Sequence, residues 1–453
     1  MFYIYFTDKR PSKPTFDTSY FVNLKDWKST MATRMINKKW LHTSWLMVAG
    51  FLCYTGMYAV RKSFLAGQYV DLALGFKADP KTVLVISQVL GYMLSKFIGI
   101  KMISEMESSK RVQWLIGLVS FGLAMLLVFA VLPPQLKIIA LFLNGLPLGM
   151  VFGVVLSYLE GRKNTELLAA ALSATFIFST GLVKTVGVIL IQEYGIDEYV
   201  MPFATGLLFF PIFLLSVWML NRSKKPSSED MAERTERMPM DAQKRKTFLK
   251  QNGLGYLGLV LIYIFLTIIR DFRDNFVVEF WSELGYAQEP ELITLTEIPV
   301  ALVVLVLAAL GILIRNNQRA FNMGMWLTLA GTATLLLSTF LFQESFISPI
   351  AWMISTGMGV YLPYILFHCL LFERLIALLH YRGNVGFLFY TADALGYLCS
   401  VGVLFLKEIM DYKGTWTGFF VSLNFISGLS IAFLVLVTIF YFRRRVSQSR
   451  SVA

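Results

Sequence analysis

Stretches of about 20 predominantly apolar residues, the length a helix needs to cross a bilayer, recur twelve times along this chain. They fall near 41–65, 82–104, 112–132, 136–159, 166–191, 200–220, 254–281, 291–314, 320–342, 347–372, 383–406 and 416–442. Hydrocarbon offers no water to the backbone, so such stretches fold as helices or as strands of a closed barrel. A barrel strand needs about ten residues of apolar–polar alternation, and that pattern does not dominate here. The predicted fold class is therefore all-α, a membrane protein of twelve transmembrane helices. Composition agrees. Of 453 residues, 56% are hydrophobic and 15% charged, against about 25% charged in a soluble domain. There is too little polar surface for a soluble chain and too much apolar surface for disorder.

The net charge of +12 raises the question of nucleic acid. The distribution of the basic residues answers it, because they cluster between the spans. With the N-terminus placed inside, inner segments hold 29 Lys and Arg and outer loops hold 5. That bias predicts cytoplasmic N- and C-termini and no nucleic-acid partner. The longest polar stretch between spans divides them six and six. The expected organisation is an N-terminal extension at 1–40, a six-helix bundle at 41–220, a basic cytoplasmic linker at 221–252, a second six-helix bundle at 253–442 and a basic tail at 443–453. The opening residues lack the order of a signal peptide, so no cleaved signal is expected. Cys53, Cys369 and Cys399 lie far apart in apolar runs, which points to buried small hydrophobes. No cofactor or metal is expected, since no metal-ligand spacing is present. Nor is there a nucleophile elbow or an H-E-x-x-H run, so an enzyme is not predicted.

Seven basic residues lie inside or near the ends of spans: Arg61, Lys62, Lys96, Lys101, Lys184, Arg270 and Arg273. A charge at the centre of a span costs about 2.5–3.5 kcal/mol on insertion scales. It persists where it pairs, snorkels or faces a polar cavity. Arg61 and Arg270 occupy similar depths in spans 1 and 7, the first helix of each half. Each has a tyrosine seven residues earlier, Tyr54 and Tyr263. Guanidinium forks onto phosphate or carboxylate with two hydrogen bonds, so the two arginines can converge on one anion. The other reading is internal pairing, for which Asp274, four residues after Arg270, is the candidate partner. Asp393 in span 11 and Glu297 in span 8 either take up a proton or neutralise a basic neighbour, with Lys184 a candidate for either. His368 in span 10 has packing and pH-sensing as its two readings. Gly145, Gly149 and Gly153 form a flat stripe for close helix packing. Pro147 and Pro363 occupy corresponding helices of the two halves. Charges at Glu160, Arg162, Glu373 and Arg374 suit either a latch or solvated helix ends.

Six plus six spans with a basic link is the arrangement of major facilitator transporters, two pseudo-symmetric halves around a midplane substrate. Within it, CYTGMYAVRKSF in span 1, read as Y-x-x-x-Y-x-x-R-K-x-F, resembles the organophosphate:phosphate antiporter family. Further similar segments are GYMLSKF in span 2, YIFLTIIR in span 7, Glu297 before Ile298 and Pro299 in span 8, GVYLPYILFHCLLFE in span 10 and ALGYL in span 11. The resemblance touches most of residues 41–400. It implies that Arg61 and Arg270 bind a phosphoryl group. It also implies that Tyr54, Tyr58, Lys62 and Lys96 line or support the site; Tyr263 in span 7 and Tyr361 in span 10 are further candidates for substrate binding. Three departures stand out: no histidine in span 5, where Lys184 is the nearby polar residue, RDFRDNF after the span 7 arginine, and ISEMESSKR after span 2.

The expectation is a major facilitator fold that binds a small anionic substrate and exchanges a phosphorylated metabolite for inorganic phosphate. The alternatives are a proton-coupled symporter of another organic anion, and a membrane sensor of a phosphate ester. A monomer in a lipid bilayer, in a bacterial cytoplasmic (inner) membrane, is expected.

Overall fold

The computed structural model describes residues 19–75, 77–104, 106–159, 162, 165–223, 242–314, 316–379 and 385–451. Glu160 and residues 224–241 of the linker lie outside the described residues, as does the side chain of Lys101. Residues 1–45 form a unit of their own, helical from Ser19. The second unit, residues 46–453, carries everything that follows.

Among the described residues, twelve helices are long and apolar enough to cross a membrane. They are α1 (Ser19–Lys62, spanning from Leu41), α2 (Pro80–Ser104), α3 (Arg111–Val131), α4 (Pro134–Leu159), α5 (Thr165–Gln192), α6 (Met201–Asn221), α7 (Ala242–Asn275), α8 (Glu297–Ile312), α9 (Asn317–Gln343), α10 (Pro349–Leu366), α11 (Val385–Ile409) and α12 (Trp416–Ser451). The starts follow local chemistry. Proline opens α2, α4 and α10, where its missing N–H costs nothing. Ser348 caps α10 and Asn316 caps α9, each accepting a backbone N–H three residues on. The structure moves both ends of one span. Helix α7 starts inside the expected linker and stops at Asn275, where Phe276 leaves helical geometry. A short separate helix, Val277–Glu283, follows.

Close helix approach occurs where side chains are absent. Gly91 and Gly145 meet the backbone across the α2–α4 contact, and a Cβ on Gly149 would lie 2.6 Å from Tyr92 O. In the second half Gly331 and Gly359 meet across α9 and α10. Helices α4 and α10 are the most buried spans and α3 and α8 the least. Leucines and valines such as Leu207, Leu208, Leu302 and Val306 stay exposed on the outer faces, as lipid contact requires. Helix α10 carries Pro363 and then a π-turn, Phe367–Leu371, before continuing as Phe372–Leu378. Pro363 lacks an N–H, so the helix loses one ladder bond there, and the wider turn follows four residues on. His368 sits in that turn.

The halves meet through α2 against α11 and α5 against α8. Within residues 46–453 this is the major facilitator arrangement of two six-helix bundles.

Candidate functional site

The basic residues at membrane depth divide by partner. Helix α1 ends at Lys62 and α7 ends at Asn275, on the face away from the linker. There Lys62 Nζ lies 2.9 Å from Asp274 Oδ2 and donates to Asn275 Oδ1 at 2.7 Å. Lys184 of α5 donates to Asp274 Oδ1 at 2.6 Å. At the start of α2, Lys81 pairs with Glu279, which is buried and lies beyond the spans, and also donates to Leu65 O. Burial pushes the Glu279 carboxyl above its ordinary range, and Lys81 opposes that shift. Nearer the linker face, Lys96 Nζ of α2 lies 2.9 Å from Asp393 Oδ2 of α11. In each of these pairs the lysine belongs to the first half and the carboxylate to the second.

The pairings expected from helical spacing and charge are thereby revised. Asp274 is taken by Lys62 and Lys184, so it is not the partner of Arg270. Lys184 goes to Asp274 and to neither Asp393 nor Glu297. Glu297 Oε1 accepts from Arg273 Nη1 at 2.6 Å inside the second half. Tyr361 faces that Arg273, whose Cζ lies 5.5 Å from the ring centroid. Arg374 donates to Asn317 Oδ1 at 2.8 Å.

Arg61 and Arg270 differ from the lysines. Arg61 is 1% exposed and Arg270 3%. Among the described residues, Nε and Nη2 of Arg61, and Nε of Arg270, have no hydrogen-bond partner. Among the described residues no carboxylate forms an ion pair with Arg61. The nearest to Arg270 is its neighbour Asp271, at 3.6 Å, and Asp271 is engaged by Ser400 through its other oxygen. Two tyrosine rings, Tyr92 of α2 and Tyr397 of α11, touch edge to face at 5.3 Å, and the cations stand around them. Arg61 Cζ is 3.4 Å from the Tyr92 centroid and 5.9 Å from that of Tyr397. Arg270 Cζ is 5.5 Å from Tyr397, and its Nη2 donates to the Tyr397 hydroxyl at 3.2 Å. Lys96 Nζ is 5.1 Å from Tyr92. Ring faces hold cations without neutralising them, so Arg61 and Arg270 keep their capacity for an anion, while Lys96 is balanced by Asp393.

A buried amide pair fixes Arg61. Because α1 ends at Lys62, the carbonyls of its last turn lack helical partners. Gln88 Nε2 of α2 donates to Arg61 O at 2.6 Å and to Asn144 Oδ1 at 2.7 Å. Asn144 Nδ2 of α4 donates to Val60 O at 3.2 Å and Gly122 O at 2.8 Å. Sequence reasoning passed over both amides. The signal that could have found them was their isolation in apolar spans, where a buried amide without partners is costly.

Between the two layers of cross-half pairs lies a cavity. Its walls include Tyr54, Tyr58, Lys96, Arg270, Asp393 and Tyr397, with Phe152, Phe176, Phe389, Tyr364 and His368. It offers about 10 Å³ to water centres, room for about one water. Of the expected site residues, Tyr54, Tyr58, Lys96 and Arg270 line it. Arg61 stands behind Tyr92, Lys62 and Tyr361 are turned to other charges, and Tyr263 meets the cavity through Asp393. Its hydroxyl donates to Asp393 Oδ1 at 2.9 Å and lies 2.9 Å from His368 Nε2. One hydroxyl hydrogen cannot serve both, so His368 Nε2 is the donor to Tyr263.

The sequence model of a family of unknown function, DUF5690, matches residues 63–445. No curated protein sequence matches the chain. Among solved structures, a crystal structure of the nucleoside transporter NupG, in a mutant form, is similar in fold with a TM-score of 0.56. The two are 11% identical, and the match covers 88% of this chain and 99% of that one.

Proposed function

We propose that this chain, which belongs to DUF5690, a family of unknown function, carries a small organic anion across the membrane by alternating access. The cargo is a phosphorylated metabolite, and inorganic phosphate is its exchange partner. One observation carries this reading: each half contributes a buried arginine, Arg61 and Arg270, to one pair of tyrosine rings, and among the described residues neither guanidinium is hydrogen-bonded to a carboxylate, Asp271 standing 3.6 Å from Arg270. Forked donors of fixed charge suit phosphate oxygens. Two cations from opposite halves also give an anion differential affinity for states that differ in how the halves meet, which is what a ligand needs to shift such an equilibrium. A nucleoside, the cargo named for NupG, brings no charge to satisfy them. In this reading the membrane is a bacterial inner membrane and both termini face the cytoplasm, an orientation that the distribution of Lys and Arg supports.

The test is counterflow. Purified protein in vesicles loaded with unlabelled phosphate should take up labelled phosphate faster than protein-free vesicles at equal pH on both sides. Uptake no faster than in protein-free vesicles removes the exchange reading. Saturable phosphate binding without flux replaces it with a membrane sensor.

A further inference from the structure

Among the membrane-embedded ion pairs, Lys96 and Asp393 are the partners that both line the cavity. Asp274 lies outside the wall and holds two lysines, so losing one leaves it compensated. Glu297 is held by Arg273 within one half and keeps its partner however the halves move. Among the described residues Asp393 has a single lysine partner, that lysine comes from the other half, and an incoming ligand reaches both.

The surroundings of Asp393 are specific. Helix α2 presents Lys96 and Tyr92, α7 presents Tyr263 and Arg270, the π-turn presents His368, and Tyr397 lies one turn on along α11. Oδ1 accepts the Tyr263 hydroxyl. Oδ2 has the Lys96 charge at 2.9 Å and no aligned hydrogen bond. Lys96 also stands beside Tyr92, the ring that Arg61 covers from 3.4 Å. An anion drawn to Arg61 and Arg270 therefore competes with Asp393 for the same ammonium group.

We infer that Lys96 and Asp393 form a proton-coupling site: an anion entering the cavity takes Lys96, and Asp393, left without its counter-charge, binds a proton. This rests on the anion-transport reading and adds that each anion is carried with a proton. A carboxylate stripped of its partner in low dielectric is relieved by neutralisation. The bond formed is O–H at Oδ2, the bond broken is an O–H of a hydronium ion from the solution, which leaves as water, and Lys96 keeps its charge and turns to the anion. When the anion leaves, Lys96 returns and the proton is released.

The experiment measures proton uptake on binding, with inorganic phosphate as the probe and the full-length protein in detergent. Phosphate's own titration contributes equally to every protein compared. Wild type should take up about one proton more per phosphate bound than Asp393→Asn. Across the pH range of that difference, the ratio of the two dissociation constants should change about tenfold per pH unit. Lys96→Met should also lose the extra proton, because Asp393 is then neutral before the anion arrives. This second variant keeps the test alive if Asp393→Asn does not fold. His368→Gln should retain the extra proton. Equal proton counts in wild type, Asp393→Asn and Lys96→Met, with phosphate still bound, overturn the coupling site and leave anion transport standing. Loss in His368→Gln alone overturns it in favour of the histidine. Wild type that neither binds nor exchanges phosphate removes the transport reading and this inference with it.

Discussion

Lys62 and Asp274 join the ends of α1 and α7, the first helices of the two halves, with Nζ 2.9 Å from Oδ2. Both side chains are almost fully buried, and Lys184 holds the other oxygen of the same carboxylate. Removing that carboxylate strands two buried ammonium groups. Asp274→Ala should destabilise the protein by about 3–5 kcal/mol, the usual cost of breaking a buried pair. The measurement is the melting temperature in detergent. An unchanged value would show that the lysines find other partners.

Anion affinity should fall when either guanidinium loses its fork. Arg61→Lys and Arg270→Lys preserve charge and approximate length, so each isolates the geometry of the contact. Losing one hydrogen bond between charged groups costs about 1.5–3 kcal/mol, or roughly 10- to 150-fold in the dissociation constant for phosphate. Equilibrium binding on the purified variants reads this directly. Normal affinity in both variants would place the anion elsewhere.

The contact between α2 and α4 tolerates no added side chain. Gly149→Val would put its Cβ 2.6 Å from Tyr92 O and 2.7 Å from Ser95 Cβ, and backbone cannot step aside as a flexible side chain can. Overpacking of this kind costs about 1–3 kcal/mol or more. Because Tyr92 also carries Arg61, phosphate affinity should fall along with thermal stability. A variant as stable as the parent would show that α4 shifts to make room.

Asn144→Leu should separate the amide pair from simple packing. It removes donors from Val60 O and Gly122 O and the acceptor for Gln88. The expected loss is about 1–3 kcal/mol per buried group left unsatisfied, again read by thermal unfolding. Phosphate binding should weaken as well, because Arg61 loses the brace on its carbonyl. Stability lost with affinity intact would limit the pair to packing.

Glu297→Gln provides the contrast with Asp393. It weakens the bond from Arg273 inside the second half, so melting should drop while the proton taken up on phosphate binding stays as in wild type. A changed proton count would move the coupling role to α8.

The spans are legible from the sequence because the demand behind them is local: each stretch must bury its own backbone polar groups in hydrocarbon. Boundaries drift where that demand weakens. Helix α7 reaches into the polar linker and breaks at Phe276, both away from the centre of the apolar run that marks it. The glycine stripe is legible too, since spacing along one helix fixes one face. Arg61 and Arg270 stand out by the cost of their charge at depth. Their partners do not. Asp274 looks like a match for Arg270 by helical spacing, yet two lysines from the other half reach it first. Gln88, Asn144, Tyr92 and Tyr397 have nothing in their sequence neighbourhood to say that they converge.

The sequence by itself therefore determined the twelve helices, their division into six and six, and the presence of cations that a membrane interior does not tolerate without a reason. Only the tertiary structure decided how those cations are used, with lysines bound to carboxylates across the halves and two arginines left against tyrosine rings. The physical reason is distance along the chain. Burial and helical periodicity are properties of neighbouring residues, whereas an ion pair such as Lys96 with Asp393 forms between helices of different halves.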